Sequence, residues 1–458
     1  MTRTSANEGT NENVRTNVNV RNTVNARTIV IVGGGAGGLE LATRLGDSAG
    51  KAGRARVILV DRWPAHFWKP LLHTVASGAR DPQQCEIEYS AQAAGHGFEF
   101  SQGEVRAIDR SKRTIELAPW IGDDGREVLP ARQIGYDKLV LALGSVTNFY
   151  GVPGAAEHVL TLDSVAEAEV FRKRFVGACI QASARKAQGE TDGAAVNIVI
   201  VGGGATGVEL AAELSHTART LANYHVHALD PVRDVRIRLI ERGEYLLPHL
   251  HRRLSRRAAR HLGSLGIEVR TNTVVASVGP DGLHDSSGAQ HDSAITLWAA
   301  GVEAPALCAT LGLSVNRLRQ IVVGPTLQSV SDPDIFALGD CANFVCPLQG
   351  VVPPRAQAAH QQAMFLAHAL AQHADAPLPS FKYHDYGSFV SLGPLAAVGV
   401  MAGTIKGRKY QVGGAAARLI YRLMYRKHLL ALHGFARMAA QTVADWIRAR
   451  ISPSVKLY

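Results

Sequence analysis

No part of this 458-residue chain is apolar without interruption for the roughly 20 residues that span a bilayer, so no transmembrane helix is predicted. Cysteine is scarce. The five present, at positions 85, 179, 308, 341 and 346, are odd in number and irregular in spacing, which argues against a disulfide framework and for an intracellular, reducing compartment. No His or Cys cluster has zinc or iron spacing, so no metal is expected; His249, His251 and His360 read as surface or packing groups. The first 26 residues lack the apolar core of a secretory signal. Rich in Asn, Thr, Arg, Glu and Ser, they read as a disordered tail, and Glu8 and Glu12 weigh against a transit peptide.

What is there is enough for a sizeable core: 46% of residues are hydrophobic, and the length predicts two or three domains. The net charge of +10 is concentrated. Residues 404–458 hold 11 of the 49 Lys and Arg but one of the 39 acids, Asp445, so the rest of the chain is neutral.

Residues 28–32 (TIVIV) form a β-branched run that reads as a buried parallel strand. It leads into Gly33, Gly35 and Gly38 in GxGxxG spacing and then into a helical pattern through Leu39, Leu41 and Leu45. One glycine makes the tight turn, one lets the backbone approach a pyrophosphate, and one lets helix and strand pack closely. The helix N-terminus offers free N–H groups to phosphate. A second strand, 56–60, ends in Asp61, where a carboxylate can accept from an adenosine ribose. The unit recurs: strand 196–201, then Gly202, Gly204 and Gly207, a helix through Val208, Leu210 and Leu214, and strand 236–240 ending in Glu241. The longer gap before Glu241 predicts an insertion around residues 217–235. A glycine-rich turn without a ligand is the bland alternative for either site; two in one chain make it a poor one.

Two such units resemble the two-dinucleotide-binding-domain flavoproteins, in which the first site holds FAD and the second NAD(P)H. On that resemblance, YDKLVLALG (136–144, ending in Gly144) is the strand returning toward the nicotinamide domain. IFALGD (335–340) is then the strand whose Gly339 and Asp340 approach the flavin ribityl chain. An N-cap is the plainer role for Asp340. Disulfide reductases share the architecture, but their reactive pair lies in the first FAD domain, whereas Cys341 and Cys346 follow the GD strand. Sulfide:quinone oxidoreductases also need a cysteine pair that does not match.

Five segments together, GGGAGGLELA (33–42), WKPLLH (68–73), GGGATGVELAAEL (202–214), LWAAGVEAP (297–305) and PPRAQAAHQQ (353–362), closely resemble bacterial type II NADH:quinone oxidoreductase. The resemblance runs from about residue 27 to the end. It implies non-covalent FAD, NADH as donor, membrane ubiquinone or menaquinone as acceptor, and no proton pumping. It also implies that Glu209 lies near the reacting rings and that Gln357 and Gln361 line the quinone end. By spacing alone the glutamines share one helix face, which a solvated polar face would also explain. Lys69 could stabilise reduced flavin or be an ordinary surface lysine.

The expected fold is α/β: an FAD domain (27–148 and 301–385), an inserted NADH domain (149–300), and a C-terminal membrane-anchoring region (386–458). Residues 415–432 and 435–449 set Leu, Ile, Met, Phe435, Val443, Trp446 and Ile447 beside Arg418, Arg422, Arg426, Arg437 and Arg448, as an interfacial helix on an anionic membrane requires. A dimer-forming or core-covering helix is the alternative, and no nucleic-acid motif accompanies the charge. The expected location is peripheral, on the cytoplasmic face of the inner (plasma) membrane, with homodimerisation left open. A slow NADH-binding regulator resembling apoptosis-type flavoproteins is the second functional reading.

Overall fold

The computed structural model describes residues 26–122, 124–189, 195–224, 229–372, 377–394, 396–402, 409–451 and 455–456. The expected N-terminal tail up to Asn25 lies outside the described residues, as do Lys406 and Arg408 of the basic segment.

The fold is α/β, and its chain order explains its layout. β1 (Arg27–Val32) leads into α1 (Ala36–Leu45), β2 (Ala55–Asp61), the short helix α2 (Leu72–Ala76) and β3 (Glu99–Gln102). A three-stranded antiparallel sheet (105–109, 114–117, 132–135) follows, and β4 (Lys138–Leu141) then pairs with the free side of β1. After α3 (Val165–Ala187), the pattern repeats: β5 (Val196–Val201), α4 (Ala205–Asn223), β6 (Val235–Ile240), β7 (Glu268–Arg270), another three-stranded antiparallel insert and β8 (Ile295–Trp298). The second sheet has order β7-β6-β5-β8, all parallel. The chain then returns with β9 (Gln328–Ser329) and β10 (Asp332–Ala337), completing a first sheet of order β9-β10-β4-β1-β2-β3, parallel except for the β9 edge.

In both sheets the chain moves outward one way from the first strand and then crosses to its other side. The crevice at the carboxyl end of β1, and likewise of β5, is therefore a topological switch point where a dinucleotide can lie. Covered on both faces, β1 and β5 carry apolar runs (29–32 and 198–201), and Ile29, Val30, Ile31 and Ile200 have no exposed surface. The expected insertion around 217–235 is in part more helix, since α4 runs on to Asn223; residues 225–228 lie outside the described residues.

After α5 (Ala356–Ala371), which packs along α1, the C-terminal region adds an antiparallel sheet that the sequence reading did not anticipate: β11 (Gly387–Ser391), β12 (Ala397–Ala402) and β13 (Lys409–Gly413). Val390, Val398 and Val400 join the core of the second sheet. The last helix, α6 (Gly414–Ile451), covers both expected amphipathic stretches and breaks between them at Gly434 (φ 73°, ψ 176°), a conformation open to glycine. Leu432 enters the core of the first sheet. Among the described residues, no helix is long and apolar enough to cross a membrane. Beyond α6 the backbone returns to the body: the Lys456 N–H donates to Gly78 O (2.8 Å), Arg172 Nη1 donates to Lys456 O (3.2 Å), and Val455 is buried.

Candidate functional site

The two glycine loops are built alike. Gly33 (φ +101°) and Gly202 (φ +116°) turn the chain where a Cβ would sit 2.3 Å from the carbonyl oxygen of Ala142 or Ala299 respectively. Gly38 and Gly207 pack so closely that a Cβ would meet the carbonyl of Gly33 or Gly202. Gly35 and Gly204, in contrast, face open space. Each loop therefore presents bare backbone at a helix N-terminus, as a pyrophosphate needs.

The acids at the ends of β2 and β6, expected to face a ribose, each accept from backbone N–H groups beside the glycine loops. Asp61 accepts from the N–H groups of Gly34 (2.6 Å) and Trp63 (2.8 Å). Glu241 accepts from those of Gly203 (2.6 Å) and Gly243 (2.6 Å). Each carboxylate ties its glycine loop to the neighbouring strand. Burial raises the Asp61 carboxyl above its usual range, against the pull of the backbone donors.

Asp340 is the middle residue of a single turn (Gly339–Cys341) at the end of β10, does not cap it as the plainer reading expected, and accepts from Ser145 Oγ (2.8 Å), one residue after Gly144. Burial raises this carboxyl, while Lys69 pulls the other way. Lys69 Nζ donates to Ser145 O (2.7 Å) and lies 3.4 Å from Asp163. Gln362, unremarked in the sequence, fixes the turn by accepting from the Gly339 N–H (2.7 Å). All five cysteines are free, and the buried Cys341 thiol is pushed far above its ordinary value, which suits packing rather than thiol chemistry.

Glu209, on the second turn of α4, is buried. Its Oε1 accepts from the Ser391 N–H (2.9 Å), Tyr421 of α6 donates to it, and Oε2 lies 3.5 Å from His73 Nδ1. Burial pushes the carboxyl up to about 8, so it holds its proton at neutral pH. Burial likewise raises Glu213, one turn on, to about 7, against the attraction of Arg418 and Arg80. His73 is pushed down to about 4 and is neutral.

Gln357 and Gln361 project from one face of α5, toward the segment before β11. Gln357 donates to Gly387 O (2.9 Å) and Asp385 Oδ1 (3.2 Å) and accepts from the Tyr386 N–H (3.1 Å). Gln361 donates to His384 O (2.8 Å) and accepts from its N–H (3.0 Å). Residues 384–391 are thus held by the glutamines at one end and by Glu209 at the other. An open cleft of about 380 Å³ beside Gln361 is lined by Met364, Phe365, Phe381, Tyr386 and Lys427.

Sequence reasoning did not single out Ser391, Tyr421 or a Glu209 contact for His73. The WKPLLH segment was a signal for His73; nothing local marked Ser391 or Tyr421, whose partner is some 200 residues away.

Residues 27–363 match the pyridine nucleotide-disulphide oxidoreductase family. The chain is 39% identical to the type II NADH:quinone oxidoreductase of Haemophilus influenzae, over 94% of its own length and 99% of that relative. It is 27% identical to the type II NADH:quinone oxidoreductase Ndh of Mycobacterium tuberculosis, over 91% and 87%. Its fold matches NDH2 from Plasmodium falciparum, solved in complex with NADH, with a TM-score of 0.77 at 19% identity, covering 94% of this chain and 100% of that one.

Proposed function

This chain belongs to the type II NADH:quinone oxidoreductases, within the pyridine nucleotide-disulphide oxidoreductase family, and from that premise we propose how its residues divide the reaction. The activity is electron transfer from NADH to quinone with FAD as the carrier.

The first cradle (Gly33, Gly35, Gly38, Asp61, Gly144, Gly339 and Asp340) holds FAD non-covalently, and the second (Gly202, Gly204, Gly207 and Glu241) holds NADH. The first fits its ligand: open space over Gly35 meets the pyrophosphate, and the buried Asp340 carboxyl, raised by burial, suits a sugar hydroxyl. When bound, FAD supplies hydride acceptance and the onward passage of two electrons; the protein positions and protonates.

The overall reaction, NADH + H⁺ + Q → NAD⁺ + QH₂, takes up a proton from the medium. Glu209 is the residue to hold it. The observation that carries this reading is that a carboxyl raised to about 8 shares residues 384–391 with Gln357 and Gln361. The glutamines fix that segment at the quinone end, and the apolar cleft beside Gln361 suits the quinone's approach. Mixing purified FAD-loaded protein, NADH and a short-chain quinone tests the activity. Sustained loss of NADH absorbance is expected; no turnover would reject it.

The exposed face of α6 is the membrane contact. Leu419, Leu423, Phe435, Val443, Trp446 and Ile447 are exposed, beside the basic residues of the same helix, as adsorption to an anionic bilayer requires. The basic segment, suited to an anionic membrane surface, supports placing this contact on the cytoplasmic face of the inner membrane. A second copy of the chain covering this face is the competing outcome, read by sedimentation without vesicles.

A further inference from the structure

We propose that His428, on the C-terminal helix, is a positioning residue for the flavin: through His66 it fixes the Gly34 carbonyl in the first phosphate loop, coupling the docking of that helix to FAD occupancy. The inference rests on the assignment of the first cradle to FAD.

Gly34 is gripped on both sides. Its N–H donates to Asp61, while its carbonyl accepts from the Tyr89 hydroxyl (2.8 Å) and faces His66 Nδ1 at 2.9 Å. A carbonyl oxygen can only accept, so Nδ1 of His66 carries a proton. Burial pushes His66 down to about 4, so the ring is neutral and its Nε2 is bare. That Nε2 lies 3.0 Å from Nε2 of His428, which must therefore be the donor. One backbone carbonyl thus dictates the tautomers of two rings on elements 362 residues apart.

Both imidazoles are buried, so removing the His428 donor leaves a bare nitrogen on His66 without water to replace it. The plane of His428 is set by Trp68, whose ring lies 4.0 Å away between centroids. The residue after Trp68 is Lys69, which reaches Ser145 O beside Asp340. The helix therefore bears on the phosphate loop through His66 and on the far end of the cradle through the Trp68–Lys69 segment. The second loop takes its support from its own domain: the Gly203 carbonyl accepts from the Leu247 N–H (2.8 Å).

Coupling of this kind is reciprocal, so bound FAD should tighten the helix as the helix tightens the loop. The test uses the full-length protein and two substitutions. His428→Phe keeps a ring on Trp68 and removes the donor; His428→Gln keeps a donor. FAD affinity is read by flavin fluorescence on dilution, and backbone hydrogen exchange over residues 421–433 is read with and without FAD. We expect His428→Phe to weaken FAD about tenfold, the loss of one buried hydrogen bond of roughly 1.4 kcal/mol. His428→Gln should stay near wild type, and FAD should slow exchange over 421–433 in the wild-type chain. Equal weakening by both substitutions, wild-type affinity in His428→Phe, or exchange indifferent to FAD would each overturn the coupling. Wild-type protein that binds no FAD would overturn the cradle assignment itself, and the coupling with it.

Discussion

Oε2 of Glu209 lies 3.5 Å from Nδ1 of His73, and at neutral pH neither group is charged. The contact joins a protonated acid on α4 to a neutral imidazole on α2, with Tyr421 of α6 at the same carboxyl. A proton is therefore stored where three elements meet, without an ion pair to hold it.

Glu209→Gln should keep FAD and lower turnover by about tenfold or more, a typical effect of losing a proton-transfer group. Stopped-flow traces of flavin reduction and reoxidation would show which half is slowed; wild-type rates in both halves would remove Glu209 from the site. Wild-type turnover should fall as pH rises through about 8, and the substitution should erase that limb. Stability follows the same carboxyl. Because its folded-state value is raised above the ordinary 4.5, its contribution is full below pH 4.5 and is lost as pH rises to about 8. The fall of Tm between pH 5 and 8 should be shallower in Glu209→Gln.

Replacing Gln357 or Gln361 with Leu removes the bonds that hold residues 384–387. We expect a quinone KM raised several-fold to tenfold, in keeping with roughly 1 kcal/mol for a lost hydrogen bond, with NADH reducing the flavin at the wild-type rate. Slowed reduction by NADH would mean that the glutamines serve the other substrate.

NADH should be preferred over NADPH by at least about tenfold in kcat/KM, because the Glu241 carboxylate at the end of β6 would repel a 2′-phosphate. Arg242 beside it works in the opposite direction. Equal efficiency with the two nucleotides would count against this role for Glu241.

Deleting residues 404–458 would be a poor test of membrane contact, since Leu432 and Val455 are parts of the two main cores. Phe435→Glu and Trp446→Glu change only exposed side chains. Each should reduce binding to anionic vesicles several-fold while FAD content stays unchanged, and the double substitution should slow long-chain quinone reduction more than short-chain. Vesicle binding indifferent to both substitutions would exclude this face.

The sequence made the parallel sheets legible because β1 and β5 carry their burial in their own composition, and the glycines that follow report the backbone geometry they permit. The two amphipathic stretches of α6 were legible from their spacing, but the break at Gly434 between them was not singled out. The sheet of β11–β13 was not legible, because residues such as Ser388, Gly399 and Gln411 form it through pairings whose register depends on tertiary neighbours. The acids were half legible. Asp61 and Glu241 stand where a ribose contact is expected, but their grip on Gly34 and Gly203 depends on a strand-to-loop distance that residue types do not encode. Tyr421 was hidden for the same reason: in a helix read as membrane-facing, one hydroxyl turns inward.

The return of Val455 and Lys456 to Gly78 and Arg172 makes the C-terminal helix a span tethered at both ends. A free amphipathic segment must order itself on reaching a surface, at roughly 1–2 kcal/mol per backbone residue. Here that ordering is completed during folding, so the exposed arc is preorganised for the membrane contact proposed above, and the rate of such an encounter would be left to diffusion and charge.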